Sequence, residues 1–107
     1  MDVFRADELE RRRAGSGERY LEFLRRDSMS LGLYTLEAGA EDTQTPHAED
    51  EAYVVVAGRG QIMVDGESTE VGPGSVVFVA ATVDHRFHSI TERLEILVVF
   101  APPESGS

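Results

Sequence analysis

The chain holds three histidines, His47, His85 and His88, and no cysteine. Metal binding or proton transfer near neutral pH would therefore centre on these imidazoles and the carboxylates beside them. His47 lies in Thr45-Pro46-His47-Ala48-Glu49-Asp50-Glu51, directly ahead of an apolar run. In an extended chain, side-chain alternation puts Thr45, His47, Glu49 and Glu51 on one face, and Tyr53 and Val55 continue it. An imidazole and a carboxylate on one strand face near a barrel interior make half a metal site. His85, opening a strand over Arg86–Ile90, offers a second nitrogen from across the barrel. Two imidazoles and one carboxylate with open positions left over describe the facial arrangement of non-haem Fe(II) centres, and the same set holds Mn, Ni or Zn. Glu49 is a further carboxylate on that face. It could serve as a substitute carboxylate ligand, but it is expected at the exposed rim, because a second acid is costly to bury beside Glu51 without the metal's charge. His88 is out of phase with His85 and is expected to face away in a structural role. His47 alone would read as a surface histidine in an acidic loop; Glu51 in register and the second imidazole at His85 are what give the set weight.

The elements that must position these groups are strands. With 107 residues, the chain has room for one domain and too little for two. From Arg19 onward, short runs rich in Val, Ile, Leu, Tyr and Phe alternate with turn signals. Gly58-Arg59-Gly60 is expected to divide a strand at Ala52–Ala57 from one at Gln61–Val64. Asp65-Gly66 marks a type I′ hairpin, which needs positive φ at both central residues. Gly72-Pro73-Gly74 forms the next corner, and strands follow at Val76–Ala80, Arg86–Ile90 and Leu94–Phe100. Short strands at this spacing point to an all-β sandwich or barrel. Ahead of them, Ala6 to Ala14 reads as a short N-terminal helix, with Asp7 as cap, Asp7/Arg11 and Glu8/Arg12 pairs, and Gly15 as stop. The expected organisation is residues 1–27 as helix and leading strand, 28–101 as barrel, and 102–107 as a flexible tail. Tyr53, Phe87, Val55, Ile96 and Val98 are candidate pocket walls that serve equally well as core.

Composition removes several functions. Ten basic against twenty acidic residues give a net charge of −10, which argues against a nucleic-acid partner because phosphate contacts need a cationic surface. The imbalance is concentrated after residue 26, since residues 1–26 hold seven Arg and six acids. No apolar run exceeds six residues, so no membrane span is expected, and no signal peptide is visible, which points to the cytoplasm. Every basic residue is Arg, which excludes a Schiff-base lysine. Phosphate loops, dinucleotide fingerprints and G-x-S-x-G elbows are absent from the sequence.

Two stretches match a family pattern. Gly39-x5-Thr45-x-His47-x3-Glu51-x6-Gly58 resembles the first cupin motif, G-x5-H-x-H-x3-E-x6-G. Gly74-x5-Ala80-x-Thr82-x2-His85-x3-Ser89 resembles the second, G-x5-P-x-G-x2-H-x3-N. The fifteen residues between Gly58 and Gly74 resemble the short spacer of small single-domain cupins. The resemblance implies a double-stranded β-helix, or jelly-roll barrel, with a divalent metal ion held inside by His47, Glu51 and His85. It also implies a homodimer formed through the N-terminal strands. The departures are Thr45 for the first histidine, a hydroxyl that is a poor ligand; Ala80 and Thr82 for Pro and Gly, which frees that loop to take another path; and Ser89 for Asn.

Two functions follow as expectations. The first is a metal-dependent enzyme of dioxygenase, isomerase or lyase type acting on a small polar molecule. The ion would act as a Lewis acid or, if iron, activate dioxygen. Acids expected near the mouth (Glu41, Asp42, Glu49, Asp50, Asp84) disfavour a multiply anionic substrate unless the metal and Arg86 offset them. The second is a non-catalytic module binding a small ligand or metal in a partly decayed site. The two differ in whether a proton-handling group stands beside the ligands, for which Tyr53, Glu49 and His88 are the candidates.

Overall fold

A computed structural model of the chain describes residues 1–105. The end of the expected flexible tail, residues 106–107, lies outside the described residues. The elements run α1 (Ala6–Ser16), β1 (Tyr20–Arg25), β2 (Ser30–Leu36), β3 (Asp50–Val64), β4 (Glu67–Val71), β5 (Val76–Val79) and β6 (His85–Ala101). The chain is thus all-β with one short helix, as expected.

Both ends of α1 differ from expectation. Arg5 stands at the N-cap in extended conformation without a capping side chain. Asp7 falls inside the first turn with Glu8, where both carboxylates face the positive end of the helix dipole. The helix runs through Gly15 and stops at Gly17, which takes φ 77° and donates its N–H to Ala14 O at 3.2 Å. Of two nearby glycines, the later one provides the left-handed residue that closes a helix. Arg11 pairs with Asp7 at 3.7 Å, whereas no Glu8–Arg12 pair forms among the described residues. The anchoring pair is Glu10–Arg13. Arg13 donates to Glu10 from both Nε and Nη2, and Glu10 Oε2 also accepts from Thr35 Oγ1 of β2 at 2.8 Å. With the buried Leu9, this fixes α1 on the barrel.

Two expected strand breaks are bends. β3 continues through Gly58, where its register against β6 shifts at Val55/Ala57, Ala57/Arg59 and Arg59/Gln61. Gly58 holds φ 90°, and a Cβ there would collide with the Arg93 carbonyl of β6, so only glycine admits this close approach. β6 likewise joins the expected Arg86–Ile90 and Leu94–Phe100 strands into one. The Asp65-Gly66 hairpin forms as expected, with φ 51° and 83° at its two residues and Val64 paired with Glu67.

All pairing is antiparallel, in the order β1-β2-β6-β3-β4, with β5 on β3. The first half of β3 carries β5 and its second half carries β4, while β6 follows β3 along both halves. The bend therefore turns one long ribbon over itself and buries a single face. Tyr53, Val55, Ile62, Phe87, Leu94, Ile96, Val98 and Phe100 fill that interior. Strand alternation puts Glu51 and His85 on the same inward face.

Candidate functional site

The site lies where the start of β3, the start of β6 and the loop before β3 converge. Glu51 is the second residue of β3 and is buried, as is His85, the first residue of β6. His47 comes from the loop and is half-buried. One ligand atom from each of the three lies within 4.8 Å of the others. The extended face expected over 45–51 does not form, because the chain bends at Ala48–Glu49 before β3 begins. Instead, His47 is held by its backbone: its carbonyl accepts the Thr82 N–H at 2.7 Å. Thr82 takes φ 67°, a conformation ordinarily left to glycine, so the loop keeps a glycine-like path despite its side chain.

His85 Nδ1–H donates to the Val83 carbonyl at 2.8 Å. This leaves Nε2 facing the interior, 2.7 Å from Glu51 Oε1 and 3.0 Å from the Tyr53 hydroxyl. With Nδ1 committed, Nε2 meets the carboxylate either by carrying a second proton or by sharing a cation with it. Burial works against the charged ring, but hydrogen bonds to Glu51 and to the Val83 carbonyl outweigh it and raise the His85 pKa above the ordinary value. Glu51 Oε2 is buried with no hydrogen-bond partner among the described residues. An orphaned, buried carboxylate oxygen beside two converging imidazoles is a donor set that fits a divalent cation.

Tyr53 Oη–H donates to Gln44 Oε1 at 3.1 Å. Burial, then the charge of Glu51, pushes the Tyr53 pKa far above the ordinary tyrosine range, so the phenol keeps its proton. The neighbouring cavity holds about 160 Å³, with Tyr20, Tyr34, Tyr53, Val98 and Phe100 as walls. Its polar lining is Gln44, His47, Glu51 and Glu104, and no arginine contributes. Of the expected walls, Tyr53 and Val98 line the cavity, whereas Phe87, Val55 and Ile96 are core.

Three further residues depart from expectation. Glu49 is buried rather than exposed at the rim, and its Oε2 accepts from Ser105 Oγ at 2.7 Å. It lies outside the His47–Glu51–His85 group. Asp42, expected at the mouth, is buried as a structural acceptor for the Tyr34 hydroxyl at 2.7 Å and the Phe87 N–H at 2.9 Å. Glu104 packs onto the site from beyond β6. Its N–H donates to Ser30 Oγ at 2.9 Å, its carbonyl accepts from Arg25, and its carboxylate lies 3.5 Å from His47 Nδ1. Burial raises the Glu104 pKa. His88 bonds Ser68 and Ser89 away from the cavity.

A barrel of bent antiparallel strands with an inward His–Glu–His group defines a class of small jelly-roll domain. The cupin domain profile matches residues 32–100, and the chain belongs to that family. A protein of Streptomyces coelicolor described as uncharacterised is 57% identical over 98% of this chain and 100% of its own length. Among solved structures, TT1209 from Thermus thermophilus superposes with a TM-score of 0.76 at 20% identity, covering 96% of this chain and 99% of that one. KdgF from a Halomonas species gives 0.71 at 18% identity, covering 78% and 76%. A double-stranded β-helix protein of the RmlC-like cupin family from Methanocaldococcus jannaschii gives 0.69 at 20% identity, covering 78% of each chain. The fold is accordingly a double-stranded β-helix.

Proposed function

We propose that this chain is a metal-dependent cupin enzyme that holds a divalent ion at His47, Glu51 and His85 and acts on a small polar molecule in the adjoining cavity. The observation that carries this reading is the fully buried His85–Glu51 contact with the unpartnered Glu51 oxygen beside it. When bound, the ion would supply Lewis acidity or, if it is iron, oxygen chemistry. The protein's own contributions are separable from it. Val83 fixes the His85 tautomer, the Thr82 N–H holds His47, and the Tyr53 hydroxyl, whose one proton goes to Gln44 Oε1, fixes the wall between Gln44 and His85. The cavity is of a size that takes a benzene-sized molecule, about 150 Å³ by comparison with an engineered cavity that does so. Without a lining arginine, and with Glu104 at the wall, any negative charge on the bound molecule would have to be met by the ion itself. The homodimer and the cytoplasmic location belong to the same proposal; the open outer edge of β1, at the end of the strand order, is where a second subunit's strand would add.

Elemental analysis of protein purified without added metal and without a chelating tag tests the reading. Near-stoichiometric Fe, Mn, Ni or Zn is expected, with His85→Ala losing the metal while staying folded. Full occupancy in His85→Ala would refute the ligand assignment. A wild-type protein that neither carries nor takes up metal would move the function to a non-catalytic small-ligand module.

A further inference from the structure

The family pattern places a histidine where this chain has Thr45, and Thr45 is exposed. Its neighbour Gln44 turns inward instead. The orientation of the Gln44 amide is dictated by Asp42. Gln44 Nε2–H donates to Asp42 Oδ2 at 2.6 Å, and a carboxylate can only accept, so the amide oxygen must point the other way, into the cavity. Asp42 cannot easily turn aside, because it is buried and also accepts from the Tyr34 hydroxyl and the Phe87 N–H. Gln44 Oε1 consequently sits 3.3 Å from His47 Nε2 and 3.1 Å from the Tyr53 hydroxyl, which is itself 3.0 Å from His85 Nε2.

These separations have a chemical meaning. Two donors on one first-row divalent ion, each about 2.1 Å from it, stand roughly 3.0 to 3.4 Å apart in octahedral or tetrahedral geometry. The Gln44 Oε1–His47 Nε2 distance lies within that range. A carbonyl oxygen has two lone pairs, so Gln44 can accept from Tyr53 and still offer one pair to a cation.

We infer that Gln44 Oε1 is the fourth protein ligand of the metal site, replacing the absent first-motif histidine with a neutral oxygen donor aimed by Asp42. This rests on the metal-site reading proposed above. It changes the character of the site: two imidazoles, one carboxylate and one amide oxygen leave one open position in a five-coordinate ion and two in a six-coordinate ion. The harder donor set shifts preference toward oxygen-favouring ions such as Mn(II) and Fe(II).

The test uses zinc as a diamagnetic probe and Mn(II) for affinity. The chain has two glutamines, Gln44 and Gln61, so the side-chain amides can be assigned by NMR with a Gln61→Asn variant and Gln61 serves as an internal control. Stoichiometric zinc should move the Gln44 Cδ resonance and slow rotation of its NH₂ group, leaving Gln61 unchanged. Gln44→Leu, which keeps the bulk and removes the donor, should weaken Mn(II) binding by about tenfold to a hundredfold, the scale on which even outer partners of a ligand act. If Gln44→Leu binds Mn(II) as the wild type does while His85→Ala does not, and the Gln44 amide ignores zinc, the fourth-ligand assignment is overturned and the three-residue site stands. If the wild type binds neither ion, the metal reading fails and this inference falls with it. Should Gln44→Leu not fold, the amide resonances of the unaltered protein decide the matter.

Discussion

Replacing Glu51 by glutamine should cost the metal-free fold little and metal binding much. In the metal-free protein, Glu51 is a buried carboxylate with one oxygen on His85 and the other unpartnered. An unsatisfied buried polar atom costs about 1–3 kcal/mol, and more when charged. Glu51→Gln removes that charge, and the new NH₂ group can donate to His85 Nε2 once the imidazole gives up any second proton. The charge-assisted bond it replaces is worth about 1.5–3 kcal/mol against roughly 1 kcal/mol for a neutral one. The remaining amide oxygen is still unpartnered, so the recovered penalty and the weakened bond nearly offset: the chelator-treated variant should lie between about 1 kcal/mol less and about 2 kcal/mol more stable, a Tm change of no more than about 10 °C for a domain of this size. Added metal should separate the two proteins. At a concentration of 100 Kd for the wild type, binding stabilises by about 2.7 kcal/mol. If losing the carboxylate weakens affinity about a hundredfold, the same metal concentration stabilises the variant by only about 0.4 kcal/mol. Thermal unfolding with EDTA and with Mn(II) or Zn(II), side by side, reads both effects. A Glu51→Gln protein that unfolds more than about 1 kcal/mol earlier in EDTA would show that the His85–Glu51 pair serves the fold. One that keeps the full metal-induced shift would show that Glu51 is no ligand.

Two further outcomes bear on the scaffold. Gly58→Ala should destabilise by about 3 kcal/mol, from the positive φ and from a Cβ pressed against the Arg93 carbonyl, and a urea midpoint within error of the wild type would refute the close approach. The Glu10 carboxyl is held below its ordinary value of 4.5 first by its hydrogen bonds from Arg13, so its contribution is present above about pH 4.5 and is lost as pH falls through the lowered folded value. Glu10→Gln should therefore cost about 1–2 kcal/mol at pH 7, a gap that narrows as pH falls below 4.5; a pH-independent gap in urea unfolding would contradict it.

The grouping of His47, Glu51 and His85 was legible because two of the three lie at strand starts, where alternation and motif spacing set direction. Gln44 was not, since a period-two reading extended the β3 face backward through a loop that bends at Ala48–Glu49. The burial of Glu49 and Asp42 was missed for a related reason. Of their partners, Ser105 for one and Phe87 for the other are distant in sequence, Tyr34 reaches Asp42 from the neighbouring strand β2, and composition alone reads such acids as solvated. The hairpin at Asp65-Gly66 was plain because its chemistry is local. The continuity of β3 was hidden because a glycine at a bulge and a glycine at a strand end look alike until the partner strand is known, and that of β6 because the polar Thr91-Glu92-Arg93 reads as a turn until its pairing with the bulged β3 is seen.

The central place of β6 has a consequence for the order in which the barrel can assemble. β6 is the last strand of the chain, yet it alone lies between β2 and β3, which do not pair with each other. Until it docks, the earlier strands form a β1–β2 hairpin and a β3–β4–β5 group, each presenting a bare edge that invites pairing with another chain. Closure of the barrel must then await contacts between segments more than fifty residues apart in sequence, such as Leu33 with Leu97, which places this fold among slow, non-local folders exposed to aggregation while incomplete. Losing β6, for example by proteolytic nicking ahead of His85, should remove one of the proposed metal ligands and turn the rest of the barrel into a template for misassembly.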